Sequence, residues 1–323
     1  MPAILGYHLS HEQFPPSELL RLAQRADAAG FAAALNSDHF YPWSERQGHS
    51  GFAWSFMGAA LATTRLSSLG VVNAPGQRYH PAIIAQALGT LAEMFPGRVW
   101  AALGSGQALN EHITGERWPA KDERNARLRE CVEIIRALLR GEEVSHRGLV
   151  TVEQARLYTR PQTPPLLAGA ALTPQTAQWV AGWADALITA SGPREHVERV
   201  VEAFRRGGGE HKPMFLKVQL SWAPSEARAV QGAQEQWASN ILPSSVLSEL
   251  RSPAQFDAVA GVVQPGDLHG AVRISSDLGQ QLAWLAQDVE LGFSRIYLHN
   301  VNRDQERFID AFAAEVLPQL RGL

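Results

Sequence analysis

Ile4-Leu5-Gly6-Tyr7-His8-Leu9, running into Ser10-His11-Glu12-Gln13-Phe14, is the stretch whose reading decides the fold. Six mostly apolar residues predict a strand. The turn after them carries none of the glycines that an open, doubly wound dinucleotide-binding sheet places there. A helix follows from Pro16, with Leu19, Leu20, Leu22, Ala23 and Ala26 at helical spacing and Gly30 as its stop.

The unit then recurs down the chain. Strands are predicted over 31–35, 66–72, 98–103, 166–168, 186–189, 214–220 and 295–298. Helices are predicted over Ala53–Thr63, Pro81–Met94, 122–140, from Pro174, and over 193–206, 277–291 and 304–317. The 122–140 helix carries Leu128, Cys131, Val132, Ile135, Leu138 and Leu139 on one face, and Gly141 ends it. Eight strand-helix units in strict alternation predict one α/β domain over 1–323, a (β/α)8 TIM barrel. Two stretches fall outside the alternation: a hairpin insertion near 143–157, turned at Arg147-Gly148, and a proline-punctuated helical insertion near 225–270.

Composition narrows the function classes. The 323 residues hold 29 Lys+Arg against 32 Asp+Glu, a net charge of −3, which argues against binding nucleic acid through a basic surface. No apolar run approaches the roughly 18 residues of a membrane span, and 1–12 lacks the basic and apolar regions of a secretory signal, so a soluble cytoplasmic protein is expected. The single cysteine, Cys131, reads as a small core residue.

Barrel active sites lie at the C-terminal ends of the strands, which turns strand ends into a candidate roster. Asp38-His39 is the sharpest pair, because histidine moves protons near neutrality and a neighbouring carboxylate orients a ring or cofactor. Trp43, in a loop with Pro42 and Gly48, is placed to line a planar group. Gly104-Ser105-Gly106 lets a planar ligand or a phosphate approach the main chain, and Ser191-Gly192 before Pro193 combines a hydroxyl with a helix start. His8 and His11 have His-x-x-His spacing, but no late carboxylate cluster completes a site, and no metal is expected.

Ser37-Asp38-His39-Phe40-x-Pro42-Trp43, Gln47-Gly48-His49, Arg78-Tyr79-His80-Pro81-Ala82-Ile83-Ile84-Ala85-Gln86 and Gly104-Ser105-Gly106-Gln107-Ala108-Leu109-Asn110-Glu111 occur in that order. Together they resemble the luciferase-like monooxygenase superfamily, in its branch of deazaflavin-dependent glucose-6-phosphate dehydrogenases. The resemblance implies a bacterial luciferase-like barrel, often a homodimer, that binds a flavin or deazaflavin across its mouth to act on a small-molecule substrate. By the same resemblance His39 is the acid/base, Trp43 lines the site, and Asp38 and Asn110 lie near the cofactor ring. Val71-Val72, with Ala74, matches the bulge behind the ring, which in this family often carries a non-prolyl cis peptide. Ala168-Gly169 and Ser191-Gly192 match the loops that hold the cofactor's phosphate.

The sequence also departs from that branch. Gln107 stands where the sugar-phosphate enzymes carry a glutamate proton donor, and an amide gives no catalytic proton. Pro193 replaces a phosphate-binding lysine, and the other two cation positions fall near Leu247 and Ala271, with Arg273 as a substitute. These losses argue against a phosphorylated sugar. They place FMN first as cofactor and deazaflavin coenzyme F420 second. The expected activity is flavin-dependent hydride or oxygen chemistry; the alternatives are a deazaflavin-dependent dehydrogenase and a non-catalytic flavin-binding protein.

Overall fold

The computed structural model describes residues 3–320; the ends of the expected 1–323 span, Met1, Pro2 and 321–323, lie outside the described residues. In chain order the strands are β1 (Ile4–Leu9), β2 (Ala33–Asn36), β3 (Ser68–Asn73), β4 (Val99–Leu103), β5 (Val144–Arg147), β6 (Thr151–Ala155), β7 (Leu166–Ala170), β8 (Ala186–Ala190), β9 (Met214–Ser221), β10 (Arg273–Ile274) and β11 (Arg295–Asn300). Strands β1, β2, β3, β4, β7, β8, β9 and β11 pair in parallel, and β8 pairs with β9 to close the ring. The chain is thus a closed (β/α)8 barrel with helices between successive strands, as the alternation predicts.

Side-chain parity separates two layers. Leu69, Val71, Ala101, Leu103, Leu167, Leu187, Leu216 and Val218 face the helices in the main core, whereas Ala33, Leu35, Trp100, Ala102, Ala168, Ala186, Ile188, Phe215 and Tyr297 fill the barrel interior. Three large rings dominate that interior: Trp100 lies 4.9 Å from Phe215 and 5.8 Å from Tyr297. Trp100 and Tyr297 fit because the adjacent strand carries glycine in register with each. A Cβ on Gly70 would overlap the Trp100 indole, and one on Gly6 would overlap the Tyr297 ring. At the N-terminal end Arg295 stacks on Phe215 at 4.7 Å and donates to Ser68 Oγ at 2.8 Å.

The hairpin β5–β6 is antiparallel, and the Glu130 carboxylate of helix Lys121–Arg140 accepts from the Leu149 amide at its turn. Residues 225–270 form helices Glu226–Trp237, Ser244–Leu247 and Pro253–Ala260 around a small core of Ala229, Ala233, Trp237, Ala260 and Leu268. A two-residue strand, β10, then adds to β9, an element with no signal of its own in the sequence. All peptide bonds among the described residues are trans, so the cis bond expected at Val71–Val72 is not found. There β3 stays in continuous register with β4, Val71 opposite Ala101 and Val72 opposite Ala102. No described helix is long and apolar enough to cross a membrane.

Gly70→Ala is expected to lower stability to urea by about 1–3 kcal/mol, the usual cost of overpacking a filled interior. Combined with Trp100→Leu it should cost less than the sum of the two single changes; strict additivity would show that the two sites do not share that space.

Candidate active site

Consecutive residues at a strand end face opposite ways, and the end of β2 divides the two strongest candidates accordingly. Asp38 turns outward into a buried network. Its carboxylate accepts from Asn73 Nδ2 at 2.6 Å and Tyr79 OH at 3.1 Å, with an Arg78 guanidinium nitrogen 3.5 Å away. Arg78 also donates to the Asp38 carbonyl at 2.8 Å, while its backbone amide donates to Glu111 Oε2, likewise at 2.8 Å. Burial pushes the Glu111 carboxyl up to about 7, against the pull of Arg78. Asp38 therefore does not touch the His39 ring.

His39 turns toward the mouth, and its carboxylate partner is a residue absent from the sequence-based roster. Glu12, in the loop after β1, places Oε1 3.2 Å from His39 Nδ1, and its Oε2 accepts from Ser10 and Ser37 hydroxyls at 2.9 and 2.8 Å. Burial works to raise the Glu12 carboxyl, but His39, the Ser37 hydroxyl, a backbone amide and His11 together hold it below the usual carboxylate range. Burial lowers His39, with Arg78 and Lys217 adding to the effect and Glu12 and Asp38 opposing it. At neutral pH the pair is a carboxylate beside a neutral imidazole. Trp43 meets the His39 ring edge-on at 4.6 Å and is backed by Phe256 at 5.1 Å.

This loop is clamped from two sides. Asn110 Oδ1 accepts from the Phe40 and Tyr41 amides at 2.9 and 3.4 Å, so Asn110 holds the backbone beside His39. Gln47 bridges the Trp43 amide and the Gln236 carbonyl, and Ser44 and Glu45 bond to Asp257 of the 225–270 segment. The same segment reaches the end of β4, where its Ser248 carbonyl accepts from the Ala108 amide at 2.9 Å.

The remaining candidates fall in different places. Gly106 has a φ of +81°, and a Cβ there would meet Glu111, Ala74 and Trp118, so Ala74 and Gly106 form one close wall. Ser105 accepts from Lys121 Nζ at 2.7 Å. Gln107 is half-buried at the start of the short helix Ala108–Glu111. Val72 and Ala168 belong to the barrel interior, while the Val71 side chain packs outward among the helices. Gly169 also faces outward, where a Cβ would run into Val180. The Ser191 hydroxyl is committed to Gln219, donating to Oε1 at 2.8 Å and accepting from its amide at 3.0 Å. Gly192 borders a cavity of about 370 Å³ that Arg273 also lines, but Arg273 is bound bidentately to Asp288 at 2.6 and 2.9 Å and is not free for a substrate phosphate. The two histidines of the His-x-x-His spacing diverge: His11 Nε2 lies 3.1 Å from Asn36 Oδ1, and the His8 ring sits 4.4 Å from His299.

Known proteins are similar to this chain along nearly its whole length. An F420-dependent glucose-6-phosphate dehydrogenase of Beutenbergia cavernae is 34% identical over 328 residues, covering 98% of this chain and 97% of that protein. One from Intrasporangium calvum is 34% identical over 332 residues, covering 99% of each. A solved F420-dependent secondary alcohol dehydrogenase, in complex with an F420-acetone adduct, superposes with a TM-score of 0.91 at 29% identity over 99% of both chains. The tetrahydromethanopterin reductase of Methanopyrus kandleri shares the fold, with a TM-score of 0.81 at 19% identity over 99% of this chain and all of that one. The family model described as luciferase-like monooxygenase matches residues 2–295, and with the His39–Glu12 pair at the mouth of its (β/α)8 barrel the chain is an oxidoreductase that belongs to that family.

Proposed function

We propose that the chain is a deazaflavin-dependent dehydrogenase that oxidises a hydroxyl-bearing carbon of a small organic substrate. The observation that carries this reading is the neutral His39 imidazole held against an ionised Glu12 at the mouth. The choice of deazaflavin over FMN, which the sequence reading placed first, rests on the F420-dependent relatives of near-complete coverage. The residues at the mouth fit a planar ring with polar edges. Asn73 Oδ1 is buried without a hydrogen-bond partner, and the Gly106 turn with Ala74 presents a flat wall whose φ and spacing exclude a side chain. When bound there, the deazaflavin supplies a hydride acceptor.

The chain's own part is proton handling. Glu12 favours the tautomer with its proton on Nδ1, which leaves the His39 Nε2 lone pair to take the substrate's hydroxyl proton as the carbon gives up its hydride. The positive charge then formed on His39 is stabilised by Glu12, so Glu12 acts as a positioning residue. Trp43 and Phe256 form an aromatic wall that limits water around the reacting carbon. Gln107 offers hydrogen bonds but no proton, which leaves the exchange to His39. Ser105, Asn110 and the backbone at Ala168-Gly169 and Ser191-Gly192 remain proposed cofactor contacts. A homodimer also remains proposed, supported by exposed Phe52 and Ile83 on an apolar groove between helices Ala53–Thr63 and Pro81–Met94.

Fluorescence titration should show F420 binding at least about tenfold tighter than FMN, a difference of about 1.4 kcal/mol; the opposite order would return the cofactor assignment to FMN. His39→Ala should lose about 10²–10⁴ in kcat with cofactor affinity kept. In the wild type, kcat/KM for oxidation should rise with pH and level off, with the midpoint of the rise below 6.5, the ordinary histidine value. Glu12→Gln should lower kcat and move that acid limb to lower pH, because removing the carboxylate removes an influence that raises the His39 pKa. An unchanged profile would remove Glu12 from the mechanism.

A further inference from the structure

Beneath the mouth lies a cation that no hydrogen bond or ion pair neutralises among the described residues. Lys217 points inward from β9, opposite Tyr297 of β11, and its ammonium reaches 5.2 Å from the Trp237 ring centroid. Trp237 meets His299 edge-on at 5.1 Å, and His299 lies 4.4 Å from His8. Gln13 binds His299 Nε2 and is itself tied to Gln236 and the Val301 carbonyl. His8 is buried, and its Nδ1 has no hydrogen-bond partner.

The charges around Lys217 are few. Glu12 is the acidic group that acts on it, and that carboxylate is already engaged by Ser10, Ser37 and His39. Burial, with the Lys217 charge adding to it, holds His8 and His299 well below the ordinary histidine value, so both are neutral at pH 7. Burial brings Lys217 itself down to about 8, which leaves it charged there. An ammonium among aromatic faces and neutral imidazoles is stabilised by any ligand that brings an anionic oxygen to it.

We propose that Lys217, on the same barrel floor as the unpartnered Nδ1 of His8, is the recognition point for a carboxylate on the substrate, which makes the substrate a hydroxy acid rather than a neutral alcohol. This rests on the dehydrogenase reading for the fate of the hydroxyl group, and on the chain's own residues for the carboxylate. The hydroxyl would then face His39, and the carboxylate would lie deeper, on the barrel floor.

The test is calorimetric titration of the full chain, alone and again after loading with F420. Lactate and 3-hydroxybutyrate serve as probes, with their amides as neutral counterparts. At pH 7 one of the two acids should bind about 10- to 100-fold tighter than its amide, the range of a charge-assisted hydrogen bond. Lys217→Met and Lys217→Gln should each abolish that preference with circular dichroism and F420 affinity unchanged, and Lys217→Arg should restore part of it. Equal binding of acids and amides, or no binding of either, overturns the proposal. So does a preference that survives both neutral variants, or a loss confined to F420 affinity. Titration without cofactor needs no turnover, so a chain that selects the acid yet never reduces F420 refutes the dehydrogenase reading and leaves the carboxylate site standing.

Discussion

The packed rings of Trp100, Phe215 and Tyr297 set the height of everything above them. A barrel of eight strands has an interior just wide enough to be filled by side chains, and here Gly6 and Gly70 give up their own volume so that two large aromatics close its lower part. The next inward positions, His8, Lys217 and His299, thereby become a floor instead of further core. With that floor sealed from below, a polar group standing on it faces only the mouth.

Strand-helix alternation is local information, and it carries the architecture, because each element's apolar period reports its own burial. The hairpin near 143–157 is legible for the same reason. The site is legible only where a residue type states its chemistry, as His39 and Trp43 do. Glu12 sits in a loop noted only for lacking glycine, and its partner lies 27 positions away, so nothing near it in sequence announces the pairing. Adjacency also misleads: Asp38 precedes His39, yet strand parity sends the two side chains to opposite sides, and the carboxylate goes to Asn73, Tyr79 and Arg78. Parity likewise turns the Val71 side chain and Gly169 toward the helices, although both stand at strand ends where a site was expected.

The 225–270 segment shows how a part outside the strand-helix alternation comes to shape the site. Gln236 and Trp237 reach the barrel floor from one helix, while Phe256 and Asp257 from another hold the loop that carries Trp43. The helices share a small core of their own, so they act on the mouth as a packed unit. A change in their packing would shift the aromatic wall and the floor together.

Two buried polar networks flank His39, and each leaves some polar atoms without a hydrogen-bond partner. In the outer one, both oxygens of Asp38 have hydrogen-bond donors and Arg78 is held by Asp38 and Glu111 together, while Asn73 Oδ1, Arg78 Nε and Glu111 Oε1 have no hydrogen-bond partner. In the inner one, Lys217 lacks a counter-ion of its own, His8 Nδ1 lacks any partner, and Glu12 Oε1 faces His39 at 3.2 Å without a hydrogen bond of good geometry. Buried groups left unsatisfied are costly, and a fold retains them where a ligand completes them. In the inner network those groups stand beside a cation with no counter-ion of its own, and that charge is what suits it to an anionic substrate, while the open Asn73 Oδ1 of the outer one is left for a polar edge of the cofactor ring.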